Sequence, residues 1–242
     1  KGKSADLMVS KDHQMFLERK SGFTSFKPAI KVHESFSGDY IPLVSNYESS
    51  YYYPDSIHGF NSNLWMKFLG WFVSEGFVYG SGTVSICQDI NANPKKCGEI
   101  GELLLEMGLD FSYSSNKQFL ITKSSFSIEC LEELKSLGDA PNKFIPRQYL
   151  DLPVSLLEEL FKTMMSGDGS IMERVGKTAI VSYYTSSIKL ADQVQELAQK
   201  IGKRATISVM HEKGTEFQFS NGRYAIAQDV MIVRILNKKR VQ

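Results

Sequence analysis

The sequence predicts an α+β protein of two pseudo-symmetric αββαββα repeats behind a small β-rich N-terminal segment. Three observations carry this. An apolar helical stretch closing on acid-Gly occurs twice, the elements downstream of both copies match, and the first 55 residues have a different character. At 242 residues and 42% hydrophobic content the chain is long enough for such a pair of cores. The implied division is 1–55, 56–140 and 141–242.

The first copy reads LWMKFLGWFVSEG at 64–76 and the second LEELFKTMMSGDG at 157–169, which sets Glu75 and Asp168 93 positions apart. After Glu75 comes a β-prone stretch from Gly82 to Ile90. An amphipathic helix follows, with Ile100, Leu103, Leu104 and Met107 at helical spacing and Gly108 closing it. After Asp168 comes a β-prone stretch from Ala179 to Tyr184, then a helix with Leu190, Val194, Leu197 and Ile201 on one face and Gly202 at its end. The closing glycines fall 33 and 34 residues after their acids, an agreement that chance does not readily give. Gln118–Thr122 and Val230–Leu236 read as later strands. Residues 125–137 read as a further helix with Phe126, Cys130, Leu134 and Leu137 apolar. Residues 138–153, with three of the seven prolines, read as the connector between repeats.

The acids carry the chemistry. A carboxylate in the last turn of a helix faces the negative end of the macrodipole, which is unfavourable by up to about 1 kcal/mol. Here that happens twice, so a compensating cation is expected, and carboxylate oxygens suit Mg²⁺. Gly70 and Ser74 in the first helix, and Thr163 and Gly167 in the second, are small residues four apart. They let two helices approach closely and bring both acids out side by side, an arrangement like that of a two-metal phosphodiester site.

Strand alternation turns Val84 and Ile86 toward the helices and Thr83, Ser85 and Cys87 outward. Ile180 and Ser182 share a face, inward or outward according to register. Net charge is +1, but residues 171–242 hold 12 basic against 6 acidic residues, which permits a phosphate-binding face. Arg174 and Lys177, just before the second β-prone stretch, are phosphate candidates.

Other classes are excluded or disfavoured. No run approaches the ~18 to 20 apolar residues of a membrane span, and no apolar signal core is visible at the start. Three cysteines without a CxxC pair point to a reducing compartment and an intracellular location. Four scattered histidines show no zinc-ligand spacing. The absence of a starting Met gives the expectation of a segment cut from a longer chain.

The two stretches Phe68-Leu69-Gly70-Trp71-Phe72-Val73-Ser74-Glu75-Gly76 and Phe161-Lys162-Thr163-Met164-Met165-Ser166-Gly167-Asp168-Gly169 resemble the motifs of the LAGLIDADG homing endonucleases. So do NKFIPRQYL before the second motif and YYTSSIKLADQVQELAQKIG after it, which are similar to members carried inside inteins. The second motif departs from the family at Thr163, where Gly is common; this bears on the helix crossing and leaves the acid in place.

The resemblance covers about 60–242. It implies a monomer that cuts both strands of duplex DNA at a long asymmetric site. Sheets would form a DNA-binding saddle with the acids over the minor groove. It makes Glu75 and Asp168 the catalytic ligands of two or more divalent ions, Mg²⁺ foremost. Lys123 and Lys238 become the basic residues assisting one strand each, and Thr83, Ser85, Arg174, Lys177, Ser182 and Arg234 contact DNA. A non-cleaving nucleic-acid-binding protein or an RNA maturase on the same fold is the alternative.

Residues 1–55 resemble part of an intein splicing (Hint) domain. Ser10-Lys11-Asp12-His13 is similar to its T-x-x-H element, and Phe26-Lys27-Pro28-Ala29 and Gly38-Asp39-Tyr40-Ile41-Pro42 to its following strands. With no N-terminal nucleophile and no His-Asn at the end, this segment is not expected to splice.

Overall fold

The computed structural model describes residues 9–19, 21–34, 40–42, 47–50, 52, 54–211, 214, 216–218, 224–226, 229–236 and 240–241. It is a mixed α+β fold with antiparallel sheets. The N-terminal part holds the hairpin β1 (Gln14–Glu18) and β2 (Thr24–Pro28), helix α1 (Ala29–Glu34) and strand β3 (Ile41–Pro42). His13 is exposed in the turn before β1, where its N–H donates to the Ser10 carbonyl at 3.1 Å. Lys27 and Pro28 end β2, while Ala29 already starts α1. Residues 38–39 lie outside the described residues.

The hairpin β4 (Ser56–Ile57) and β5 (Phe60–Asn61) turns through His58 and Gly59, both at positive φ. It delivers Asn61, whose side chain caps helix α2 (Ser62–Glu75) by accepting from the backbone N–H groups of Asn63 and Leu64. Next come β6 (Gly76–Val78), β7 (Val84–Cys87), α3 (Pro94–Glu106), β8 (Phe111–Ser114), β9 (Gln118–Ile121) and α4 (Ile128–Ser136). The second half repeats this order. After the short α5 (Arg147–Leu150) come α6 (Val154–Asp168), β10 (Gly169–Arg174), β11 (Lys177–Thr185), α7 (Ile188–Lys200) and β12 (Arg204–His211). A small hairpin, β13 (Glu216–Gln218) and β14 (Tyr224–Ile226), precedes β15 (Val230–Leu236) and β16 (Arg240–Val241).

The two four-stranded sheets have one topology, β6-β7-β9-β8 and β10-β11-β15-β12. In each, the strand after the motif helix is at the edge and the fourth strand of the repeat is inserted beside the second. The β13–β14 hairpin accounts for the longer spacing between the last two strands of repeat two. Gly108 and Gly202 both adopt positive φ after α3 and α7, as C′ caps do.

The core lies between the motif helices and one face of each sheet. α2 is buried nearly all round, with Trp65, Met66, Phe68, Leu69, Trp71, Phe72 and Val73 inside, as befits a helix with neighbours on every side. Its main partner is α6. A Cβ on Gly70 would lie 2.8 Å from the Thr163 Cβ, and one on Gly167 would lie 2.5 Å from the Ser74 Cβ. Each small residue of one helix thus meets its own counterpart in the other, where a pseudo-twofold axis would pass. Thr163 is tolerated because Gly70 has no side chain and because its hydroxyl donates back to the Glu159 carbonyl at 2.9 Å.

Among the described residues no helix is long and apolar enough to cross a membrane.

Candidate functional site: an acid cleft at the end of the helix pair

Each acid ends its helix because the next residue is glycine. Gly76 and Gly169 leave the helix directly into extended backbone, with φ −100° and −84°. A Cβ on Gly76 would come within 2.7 Å of the Phe72 carbonyl oxygen, and one on Gly169 within 2.2 Å of that of Met165. Acid-Gly is therefore the steric condition for passing from motif helix to strand without a loop. With the small residues pressed together one turn earlier, Glu75 and Asp168 open into one cavity of about 510 Å³, also lined by Ser74, Lys143, Tyr184 and Thr185.

The two carboxylates are held differently. Glu75 accepts from the Gln88 side-chain amide at 3.2 Å, and Asn93 in turn donates to the Gln88 oxygen at 2.8 Å. Asp168 accepts from the Tyr183 phenol and the Ser74 hydroxyl, which are themselves 3.3 Å apart. Gly76 pairs with Ile86 and Gly169 with Tyr183, so Tyr183 stands in repeat two where Ile86 stands in repeat one. Burial, and then the negative charge of Glu75, push Asp168 up to about 7 against the opposing pull of Lys96, Tyr183 and Ser74. Burial also raises Glu75, against Lys96 and Gln88.

Two lysines missing from the sequence reading sit at the helix ends. Lys143 is almost fully buried. Its ammonium donates to the Gly76 carbonyl at 2.7 Å and the Phe72 carbonyl at 3.3 Å, and lies 4.2 Å from the centre of the Phe72 ring. Burial lowers it to about 8, so it is mostly charged at neutral pH. Lys96, from the start of α3, donates to the Gly167 carbonyl at 3.0 Å. Each motif helix thus has its last carbonyls capped by a lysine from outside its own repeat segment. The protein itself supplies part of the compensation that the sequence assigned to a metal ion.

The sequence signal for Lys143 was present in the connector. Between its prolines, Phe144 and Ile145 are half-buried and buried. Ile145 exchanges two hydrogen bonds with the Gln193 side chain, and the Ser187 hydroxyl donates to the Lys143 carbonyl at 2.6 Å. A buried apolar pair inside a proline-rich stretch marks an ordered strap rather than a linker.

Two expected site residues lie apart from the cleft or under cover. Lys123 does not reach the cleft. The row Gly76–Ile86–Phe119 is level with the acid, and Lys123 follows four residues beyond Phe119, about 13 Å along the sheet. Its side chain lies over Gly82 in the β6–β7 turn. Ser85 occupies the outward face but is fully buried, its hydroxyl donating to the Gln118 side-chain oxygen at 3.1 Å, with Tyr79 bonded to the same amide. Long polar neighbours on an outward face close over a short one.

The remaining expected residues are placed as follows. Thr83 is half-buried, 3.2 Å from the Ser81 hydroxyl. Ser182 and Ile180 point away from the helices, settling the register, but Ser182 is 4% exposed. Arg234 is exposed on that face, in the cross-strand row Ser170–Ser182–Arg234–Thr206. Arg174 is exposed, and its guanidinium donates to the Thr178 carbonyl at 2.6 and 3.0 Å. Lys177 opens β11 across from Arg174; its side chain is outside the described set. Lys238 lies outside the described residues.

Comparison with known proteins bears on the second half most directly. The family model for a LAGLIDADG-like domain matches residues 156–242. That matched stretch, similar to a LAGLIDADG-like domain, holds Asp168, α7 and the whole second sheet. A replicative DNA helicase DnaB from Nostoc sp. is 36% identical over 74 residues, a stretch covering 30% of this chain and 8% of the helicase. Among solved structures, the crystal structure of I-DmoI in complex with DNA and Ca aligns with a TM-score of 0.44 and 12% identity, over 73% of this chain and 84% of that one. The N-terminal LAGLIDADG domain of DUF199/WhiA aligns with a TM-score of 0.43 and 9% identity, over 78% and 88%.

Proposed function

We propose that the chain is a site-specific double-strand DNA endonuclease of the homing type, dependent on divalent cations and derived from an intein. The observation that carries this is the meeting of Glu75 and Asp168 in one cleft at the end of two tightly crossed helices. Each acid is followed at once by a strand of its own four-stranded sheet. Two repeats in one chain suit a monomer on a long asymmetric target, and a DNA target suits an intracellular location.

The donor set fits hard cations. The acids are two half-buried carboxylates whose negative charges oppose each other. Among the described residues no group of three or more His, Cys, Asp or Glu forms a metal cage. A pair of carboxylates leaves positions for water and phosphate oxygens, the mode Mg²⁺ prefers. When bound, such ions lower the pKa of a water and neutralise charge on the phosphate. The chain's own residues do the rest. Gln88 and the Tyr183–Ser74 pair fix the orientation of the two carboxylates. Lys143, on the cavity wall, presents the basic charge nearest the Gly76 backbone, the role expected of Lys123. The outward row with Arg234 meets phosphates. Residues 1–55 are read as a remnant of a splicing domain.

A non-cleaving nucleic-acid-binding role is the second reading. The lysine caps favour it, since they answer the helix-end charge without a metal. Incubation with a plasmid library of random duplexes and Mg²⁺ separates the two. Discrete double-strand cuts are expected, abolished in Glu75→Gln and Asp168→Asn with duplex binding kept. Cutting by either variant at the wild-type rate removes the ligand assignment, and retention of duplex without cutting by the wild type leaves the second reading.

A further inference from the structure

Lys96 stands where its own helix disfavours it. It lies in the first turn of α3, a turn without acidic residues that begins at Pro94, and a cation there opposes the positive end of the helix dipole. It is half-buried, and its ammonium leaves α3 to donate to the Gly167 carbonyl at 3.0 Å, one residue before Asp168. From that point its charge acts on both Glu75 and Asp168.

The pseudo-symmetry shows that this is not a requirement of the fold. Aligning the closing glycines Gly108 and Gly202 puts Cys97 with Ala191, Ile100 with Val194 and Leu103 with Leu197, all buried, and puts Lys96 with Leu190. Leu190 is buried at 1% exposure and lines the cavity into which Glu75 and Asp168 open. One repeat sends an apolar side chain to this position, and the other sends a charge.

We propose that Lys96 is a resident cation of the acid cleft, a positioning residue that holds the two carboxylates together and against whose charge an entering divalent cation competes. The inference rests on the reading of the cleft as a cation site. Lys96 then lets the two acids stay close without metal, and it weakens, without abolishing, the binding of a divalent cation to the DNA-free protein.

The test is a titration of the full chain with Mn²⁺ by calorimetry, with metal-free thermal melts alongside. Lys96→Met keeps the stem and removes the charge. It is expected to bind Mn²⁺ at least about tenfold more tightly, the effect of removing one nearby charge at a screened, near-surface site. It is also expected to melt lower without metal and to recover the loss when Mn²⁺ is added. Lys96→Arg should bind Mn²⁺ like the wild type. Lys96→Leu, which copies the counterpart residue, is the second neutral variant should Lys96→Met fold poorly. Unchanged or weaker Mn²⁺ binding in the neutral variants, with or without a loss of duplex affinity, overturns the proposal and leaves the cleft reading standing. Absence of Mn²⁺ binding by the wild type, or equal binding by Asp168→Asn, removes the cleft reading and this proposal together.

Discussion

Asp168 sits at about 7 in the folded chain against the ordinary 3.8 of an aspartate. Between those values the folded state binds a proton that the unfolded state has released. Its contribution to stability is therefore present at low pH and is lost as pH rises through that window, levelling off above about 7. Glu75, also raised, adds a slope of the same sign. Asp168→Asn should flatten the fall in melting temperature between pH 5 and 8, and should melt above the wild type at pH 8 in metal-free buffer. Parallel melting curves for the two proteins across that range would show that Asp168 is not the group titrating. The same proton must leave before a cation can bind, so stabilisation by added Mg²⁺ should grow from pH 6 to 8. The cleft is stored strain of an electrostatic kind, and the substitution that relieves it removes the proposed chemistry.

At the scale of elements, the helix crossing can be tested at a single atom. Gly70→Ala places a methyl 2.8 Å from the Thr163 Cβ and 3.1 Å from the Leu160 carbonyl oxygen, neither of which is the free end of a flexible side chain. Overpacking of this kind costs about 1 to 3 kcal/mol, so denaturant melts should show a loss of that size. Gly70→Ala with Thr163→Gly should recover most of it, because the pair restores one small residue at the contact. A double variant no more stable than Gly70→Ala would mean that the helices do not meet there. This contact was legible in the sequence because small residues four apart on two matching apolar stretches have one simple physical use.

The helix and strand order was legible for a related reason: periodicity and closing glycines act locally. The position of Lys123 was not, because nothing in the stretch QFLITK tells which end of β9 lies beside the acid; the antiparallel pairing with β7 decides that. Lys96 was missed because its partner is a backbone carbonyl 71 residues away, which leaves no sequence pattern; for Lys143, whose partner lies 67 residues away, only the apolar pair Phe144–Ile145 marks an ordered strap, and it does not name the carbonyl. Ser85 was given its face correctly by alternation, but alternation does not report that Gln118 lies across it.

For the whole molecule, the two sheets share a topology and differ in chemistry. The row one step beyond each acid-Gly turn reads Phe77–Ser85–Leu120–Ser112 in the first sheet and Ser170–Ser182–Arg234–Thr206 in the second. The second row follows the charge of the chain, whose last 72 residues hold 12 basic and 6 acidic side chains. A duplex lying across both repeats would then have most of its phosphates neutralised by the second. Despite a net charge of +1, affinity for long duplex DNA should fall steeply with salt, by about 0.9 in log–log slope for each phosphate neutralised. Arg234→Ala should reduce the steepness by about one such step. Thr83→Ala, a neutral change in the β6–β7 turn, should leave the slope as it was. A slope near zero in the wild type would argue against any phosphate-facing sheet. A steep slope untouched by Arg234→Ala would move the phosphate contacts off this row, toward Arg174 and the β10–β11 turn, where the guanidinium is already held by the Thr178 carbonyl beside the exposed strand β10.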